Sequence, residues 1–304
     1  MSQTKDTILK IRVFAKINLS LRILGRLEGG YHSLETIFQN ISLSDHLTLR
    51  TTPGAVDVHS DDPSVPNGPE NIAYRVAVAC LQMLDIRDRG LEINIEKGIP
   101  VGSGLGGGSA DAAGTIIACE RLFGPLPGGD TALYALAASI GADVPFLLSG
   151  GRALAWGIGE RMLRLPVSKP TSLLLVLPNL SVSTLWAYRA LDNSQAEGIS
   201  TETMDVNSGP LKWEELIGPL GPVEGIVNDF EPVIFAHHPE LRDIKHRLIE
   251  AGAKVALLSG SGSGIFGLFE DKKKRDAAKT ALESPEDYRL ISANFLDRAF
   301  DILE

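Results

Sequence analysis

The run Pro100-Val101-Gly102-Ser103-Gly104-Leu105-Gly106-Gly107-Gly108-Ser109-Ala110 combines two things an anion needs from a backbone. Glycines let N–H groups approach a bound anion closely, and the helix expected over Ser109 to Leu122 would add unpaired donors and a positive dipole end. This is chemistry suited to phosphate, although a glycine run before a helix is also read as a tight turn. Gly102, Gly104 and Gly107 satisfy GxGxxG, but the helix is followed by GPLPGGD and a second helix, not by a strand ending in an acid. That context does not suit a dinucleotide site. No Gly-Lys pair occurs, which excludes a Walker loop, and the VAIK, HRD and DFG segments of protein kinases are absent.

Other residues could do chemistry near such a loop. Lys16 and Asn18 share one face of an alternating segment and can point into one cleft, although a lysine on a strand face is most simply a solvated one. Asp143, between Gly141-Ala142 and Val144-Pro145, is read from its neighbours as a turn or capping residue, and also as a carboxylate free to take a proton. Tyr31 and His32 follow Gly29-Gly30 and offer a stacking face and a directional hydrogen bond; a loop aromatic packed on the core fits the same text. Asn71 has the chemistry of a helix N-cap. Gly260, Gly262 and Gly264 form a second glycine cluster, which as a bare pattern is also a hairpin turn.

These residues need elements to hold them. Residues 8–24 alternate, with Val13, Ala15, Ile17, Leu19 and Leu21 on one face and Arg12, Lys16, Asn18, Ser20 and Arg22 on the other, which predicts a half-buried strand. Strands are expected over Ile41–Arg50, Val56–Ser60, LEINIEK, Phe146–Trp156, Ser172–Leu177, KVALLS and IFGLF. Helices are expected from Asn71, over Ser109–Leu122, Thr131–Ile140, Thr184–Leu191 and Pro239–Ala251, with a final helix and strand. Pro166 to Pro170 marks a domain boundary, and Asp192–Pro210 is expected as a polar loop and as the stretch most prone to disorder.

Composition limits the classes. A chain of 304 residues with 44% hydrophobic residues can bury a substantial core in two moderate domains. Its formal charge of −9 and the lack of a Lys/Arg block give no support to nucleic-acid or anionic-membrane binding. Cys80 and Cys119 lie in apolar helical text and are expected as buried thiols. No signal-like core or long apolar run is seen, so a cytoplasmic protein is expected, and no histidine cluster suggests zinc.

The glycine run, read as GLGGGSADAA, resembles the phosphate loop of the GHMP kinases, the galactokinase, homoserine, mevalonate and phosphomevalonate kinase superfamily. AKINLSLRI, GYHSLETIFQ, the text from Pro69 to Val76, GADVPFLLSGGRALAWGIGE and LSGSGSGIFGLF agree in the same order, so the resemblance spans nearly the whole chain. It leans toward the branch that phosphorylates a cytidine diphosphate-linked methylerythritol in non-mevalonate isoprenoid synthesis. The resemblance implies an α+β, two-domain fold: a ribosomal-protein-S5-domain-2-like domain over 1–166 that carries the ATP loop, a ferredoxin-like domain over 167–304, and an active site in the cleft between them. It implies ATP and Mg2+ as cofactors and a small-molecule acceptor, and leaves monomer and homodimer open. The metal ligand also stays open, because mevalonate-type members carry GLGSS where this chain has Gly106-Gly107-Gly108-Ser109.

Residue by residue, the resemblance makes Lys16 and Asp143 catalytic, with Asp143 as general base, and puts the run from Pro100 to Ala110 on ATP with Asn71 near adenine. It puts Asn18, Tyr31, His32 and Tyr188 on the acceptor, with Trp186 as an alternative to Tyr188. The segment Asn228-Asp229-Phe230-Glu231-Pro232 is expected to be structural. Rival readings are another GHMP kinase acting on homoserine or mevalonate, a catalytically silent nucleotide-binding protein, and a dehydrogenase.

Overall fold

The alternation that opens the chain folds as β1 (Ile8–Arg26), which turns at Gly29-Gly30 and pairs antiparallel with β2 (His32–Pro53) over its whole length. The expected strand over Ile41–Arg50 is thus part of a much longer one. The computed structural model describes residues 7–167, 171–196, 226–284 and 286–303. Among these, seven strands form a first sheet in the order β11-β1-β2-β4-β3, where β3 is Asp57–Ser60, β4 is Arg89–Glu96 and β11 is Phe300–Ile302. β5 (Arg152–Gly157) pairs with the first part of β2, and β6 (Arg161–Leu165), which the sequence pattern does not announce, pairs with β5.

Helices α1 (Ile72–Met83), α2 (Gly107–Phe123) and α3 (Gly129–Ile140) follow their apolar periodicity. α2 lies so close to β1 that a Cβ at Gly114 would stand 2.4 Å from Val13 Cγ1. Cys80 and Cys119 are free and fully buried in this core; a hydrogen bond donated to Cys80, then desolvation, raise the Cys119 thiol.

The expected strand over Phe146–Trp156 is corrected. Its first half is a short helix, α4 (Val144–Ser149), and the strand begins only at Arg152. Pro145 suits the first helical turn and Gly150, at φ 68°, ends the helix. An apolar run this short carries no periodicity to tell helix from strand.

The sheet changes between β6 and β7 (Ser172–Pro178); residues 168–170 of the expected boundary lie outside the described residues. The second unit contains α5 (Thr184–Ala196), α6 (Glu231–His237), α7 (Pro239–Glu250), β8 (Val255–Leu258), β9 (Ile265–Phe269), α8 (Lys272–Ala281) and β10 (Tyr288–Asn294). Its four strands run β10-β7-β9-β8, all antiparallel, the ferredoxin-like arrangement. Asp192–Ala196 of the polar segment belong to α5 rather than to a loop, and 197–210 lie outside the described residues.

β7 reads as a continuous apolar run because both of its faces are buried. Leu173, Leu175 and Leu177 pack with the core of the first domain, whereas Leu174 and Val176 pack with α5, α6 and α7. The last strand, β11, returns to the first sheet beside β1. The two sheets are therefore joined by packed apolar surface as well as by chain.

Candidate active site

The glycine-rich loop takes its shape from its carbonyls. Leu105 O accepts from Lys16 N on β1 at 3.0 Å, Ser103 O from Gly264 N at 3.1 Å, Gly104 O from Ser259 Oγ at 3.0 Å, and Pro100 O from Ser103 Oγ at 2.6 Å. A planar trans peptide points its C=O and the next N–H in opposite directions. With these carbonyls engaged from behind, the N–H edge of the loop faces away from those partners.

Two glycines are obligatory here. Gly104, at φ 74°, would place a Cβ 2.0 Å from Ser259 O, and Gly106, the N-cap of α2 at φ 75°, would press one to 3.0 Å from Lys16 Cγ. α2 opens with no side-chain cap on its first-turn N–H groups, the condition in which a helix N-terminus can take an anion. The second glycine cluster is thus the clasp that locks the loop against the second domain. Asn228 holds that clasp by donating to Leu258 O and Gly260 O, each at 2.8 Å, which gives the Asn228–Pro232 segment the structural part expected of it.

Beside the loop, the middle of the supposed solvent face of β1 is buried, while Arg12 and Arg22 at its ends stay partly exposed. Lys16 and Asn18 are each 4% exposed, which corrects the reading of this face as half open to water. Lys16 Nζ donates to Asn18 Oδ1 at 2.8 Å, lies 3.2 Å from Asp143 Oδ2, and stands over the Phe38 ring at 5.3 Å. Asn18 is fixed in turn by donating to Thr36 Oγ1 at 2.8 Å. Asp143 begins α4, yet its carboxylate makes no capping bond and is 29% exposed. It keeps lone pairs for a ligand.

The cleft has a volume of about 1140 Å³ and runs from the loop to the β1–β2 turn. Lys16, Asn18, Asn71, Asp143, Pro100 to Ser109, Tyr31, His32 and Tyr188 all line it, whereas Ala110 is turned into the core and Trp186 is absent from the wall. Trp186 packs edge-on against His237, while Tyr188 stacks on His32 with centroids 4.7 Å apart. Desolvation, then the charge of Asp143, pushes the Tyr188 hydroxyl up to about 12. Tyr31 keeps a free ring, 65% exposed. Asn71 caps α1 by accepting from Ala73 N and donates to Pro66 O, both at 2.8 Å, so it shapes the wall of the cleft.

Sequence reading passed over a second charged cluster beside the loop, of which Lys97 and Asp111 also line the cleft. Lys97 Nζ lies 2.5 Å from Asp45 Oδ2 and 2.7 Å from Asp111 Oδ2, all three side chains being almost fully buried. Asp45 also accepts from Gly98 N and Ile99 N, and Asp111 Oδ1 has no partner. Burial, against the attraction of Lys97, pushes the Asp111 carboxyl up to about 7; Lys97 ends above its ordinary value because the two carboxylates outweigh its own desolvation. Asp111 lies within GLGGGSADAA, and its position one α-helical turn into a phosphate-loop helix was the available signal.

A glycine cradle, a fixed Lys/Asp pair and a cleft between two α+β domains define the class of small-molecule kinases. The family model described as "GHMP kinases N terminal domain" matches residues 71–151, and that described as "GHMP kinases C terminal" matches 215–286. The 4-diphosphocytidyl-2-C-methyl-D-erythritol kinase of Solibacter usitatus (strain Ellin6076) is 38% identical over 293 residues, 95% of this chain and 90% of that protein. A crystal structure of 4-(cytidine 5'-diphospho)-2C-methyl-D-erythritol kinase superposes with a TM-score of 0.76 at 35% identity, covering 94% of this chain and 98% of that one. Homoserine kinase from Cytophaga hutchinsonii shares the fold, with a TM-score of 0.69 at 19% identity, covering 100% and 99%. The chain belongs to the GHMP kinases and, within them, to the 4-diphosphocytidyl-2-C-methyl-D-erythritol kinase family.

Proposed function

We propose that this chain transfers the γ-phosphoryl group of ATP to the 2-hydroxyl of 4-diphosphocytidyl-2-C-methyl-D-erythritol, with Asp143 as general base and Lys16 as the fixed cation of the reaction. The observation that carries this reading is the Lys16–Asp143 pair, 3.2 Å apart at the end of the phosphate loop, in a chain of this family. Asp143 takes the hydroxyl proton as the new O–P bond forms and the bond between the γ-phosphorus and the β,γ-bridging oxygen breaks, releasing ADP. Lys16 holds Asp143 in place by opposite charge and screens the transferring phosphoryl. The loop N–H groups and the start of α2 hold the phosphates.

Mg2+ fits this donor set as a cation carried by the nucleotide. Among the described residues no group of three or more His, Cys, Asp or Glu forms a cage, and Mg2+ needs none when phosphates and water supply most of its shell. Ser109 Oγ lies 3.9 Å from where a Cβ of Gly141 would stand, so this hydroxyl adjoins the turn that carries Asp143. Ser109 and Asp143 are the residues that would flank the ion, which when bound neutralises charge on the phosphates. At the other end, the exposed ring of Tyr31 and the edge of His32 receive the cytosine.

The test is ATP consumption by the purified chain with 4-diphosphocytidyl-2-C-methyl-D-erythritol, homoserine and mevalonate in parallel, with and without Mg2+. Turnover with the cytidyl acceptor alone, dependent on Mg2+, is expected. Turnover with homoserine or mevalonate instead would overturn the acceptor assignment.

A further inference from the structure

The base end of the cleft is built from both domains. Arg26 and His32 face each other in register at the mouth of the β1–β2 hairpin, and both side chains reach toward Asp192 on α5. His32 Nε2 lies 2.7 Å from Asp192 Oδ1, and Arg26 Nη1 lies 3.9 Å from Asp192 Oδ2. The His32 side chain is almost buried, with one ring face covered by Tyr188, whose own ring is braced edge-on by Phe230. Asp192 is not part of the cleft wall; it stands behind His32, which is.

A carboxylate only accepts hydrogen bonds, so the contact requires a proton on His32 Nε2. In the neutral ring the other nitrogen, Nδ1, is then an acceptor. We propose that Asp192 is a positioning residue that determines pyrimidine specificity: by holding His32 in the Nε2–H tautomer, it presents an acceptor to the base and so selects an amino-bearing pyrimidine over a keto one. The proposal rests on the reading that the acceptor's base lies at Tyr31 and His32. A cytosine amine can donate to Nδ1, whereas uracil offers an oxygen there and leaves two acceptors facing each other. Sites that satisfy a buried hydrogen bond with one ligand reject the analogue that cannot make it, and loss of the carboxylate behind a working histidine releases the wrong tautomer.

The experiment compares kcat/KM for the cytidyl acceptor and its uridyl analogue in the wild-type chain, Asp192→Asn and Asp192→Ala, together with 15N chemical shifts of the His32 ring. The wild type is expected to prefer the cytidyl acceptor by at least about 10²-fold and to show a single Nε2–H ring. Asp192→Ala is expected to lower that ratio at least about tenfold through the KM for the cytidyl acceptor, with kcat and the KM for ATP nearly unchanged and the ring a mixture of tautomers. Asp192→Asn, whose NH2 can donate to Nε2 and so hold the opposite tautomer, should lower the ratio at least as far as Asp192→Ala. An unchanged ratio in a folded Asp192→Ala that binds ATP normally, or a wild-type ring protonated on Nδ1, overturns the proposal and leaves the reaction assignment standing. Wild-type turnover of neither pyrimidine acceptor overturns the acceptor reading and this proposal together.

Discussion

Two lysine–carboxylate assemblies flank the glycine-rich loop, and they are built in opposite ways. Lys97 is closed in by Asp45 and Asp111 at 2.5 and 2.7 Å with all three side chains buried, and Asp45 also takes two backbone N–H groups. Lys16 is equally buried but is paired at 3.2 Å with one carboxylate that stays 29% exposed and caps nothing. The first assembly, the unpartnered Asp111 Oδ1 apart, has spent its bonding on the protein, and it ties β4, the loop and α2 together where Lys97 and Asp111 reach the cleft wall. The second keeps capacity in reserve at the edge of the cleft, as a proton acceptor must. The same residue types thus serve structure or chemistry according to how many partners the fold has already given them.

Removing the charge at the centre of each assembly should separate the two. Lys97→Met leaves Asp45 and Asp111 buried without a counter-charge and is expected to cost roughly 3–5 kcal/mol of stability, measured by urea unfolding. Loss of activity without loss of stability would erase the contrast.

A pH titration sharpens it. The Asp111 carboxyl is raised to about 7 from an ordinary 3.8, so folding favours its protonated form. The stability this contributes is complete below pH 3.8 and is lost as pH rises through 7. Relative to Asp111→Asn, which does not titrate, the wild type should lose stability on the order of a few kcal/mol across that range. A difference that is flat with pH would place Asp111 among ordinary ionised carboxylates.

A third contrast lies at the clasp between the glycine clusters. Gly104→Ala puts a Cβ 2.0 Å from the backbone Ser259 O at φ 74°, adding to a backbone strain of roughly 1–3 kcal/mol a clash that only movement of the loop or the clasp relieves. It should raise the KM for ATP about tenfold or more while leaving the wild-type preference among acceptors in place. Equal effects on ATP and acceptor would mean that the clasp shapes the whole cleft.

Much of this was legible in the chain. The glycine loop, β1, the positions of Lys16 and Asp143, and the pair Tyr31-His32 could be read because each depends on local pattern or on contiguous motif text. What escaped depends on partners distant in sequence. Lys97 is an unremarked lysine at a strand end until Asp45, 52 residues away, is placed against it. Asp192 looks like the start of a polar loop until His32, 160 residues away, fixes its purpose. The burial of Lys16 and Asn18 on the polar face of β1 follows from Gly106, Asp143 and Gly260, distant in sequence, packing beside them, which alternation along one strand cannot report. The helix at Val144–Ser149 was hidden by its shortness.

The central claim is that the reserve left on Asp143 is catalytic, and single-turnover phosphoryl transfer by Asp143→Asn at saturating ATP and acceptor tests it most directly. A fall of about 10²- to 10⁴-fold, with ligand affinities and unfolding midpoint close to wild type, is the expected result. A rate within twofold of wild type would contradict the assignment and turn the Lys16–Asp143 pair into a second structural bridge.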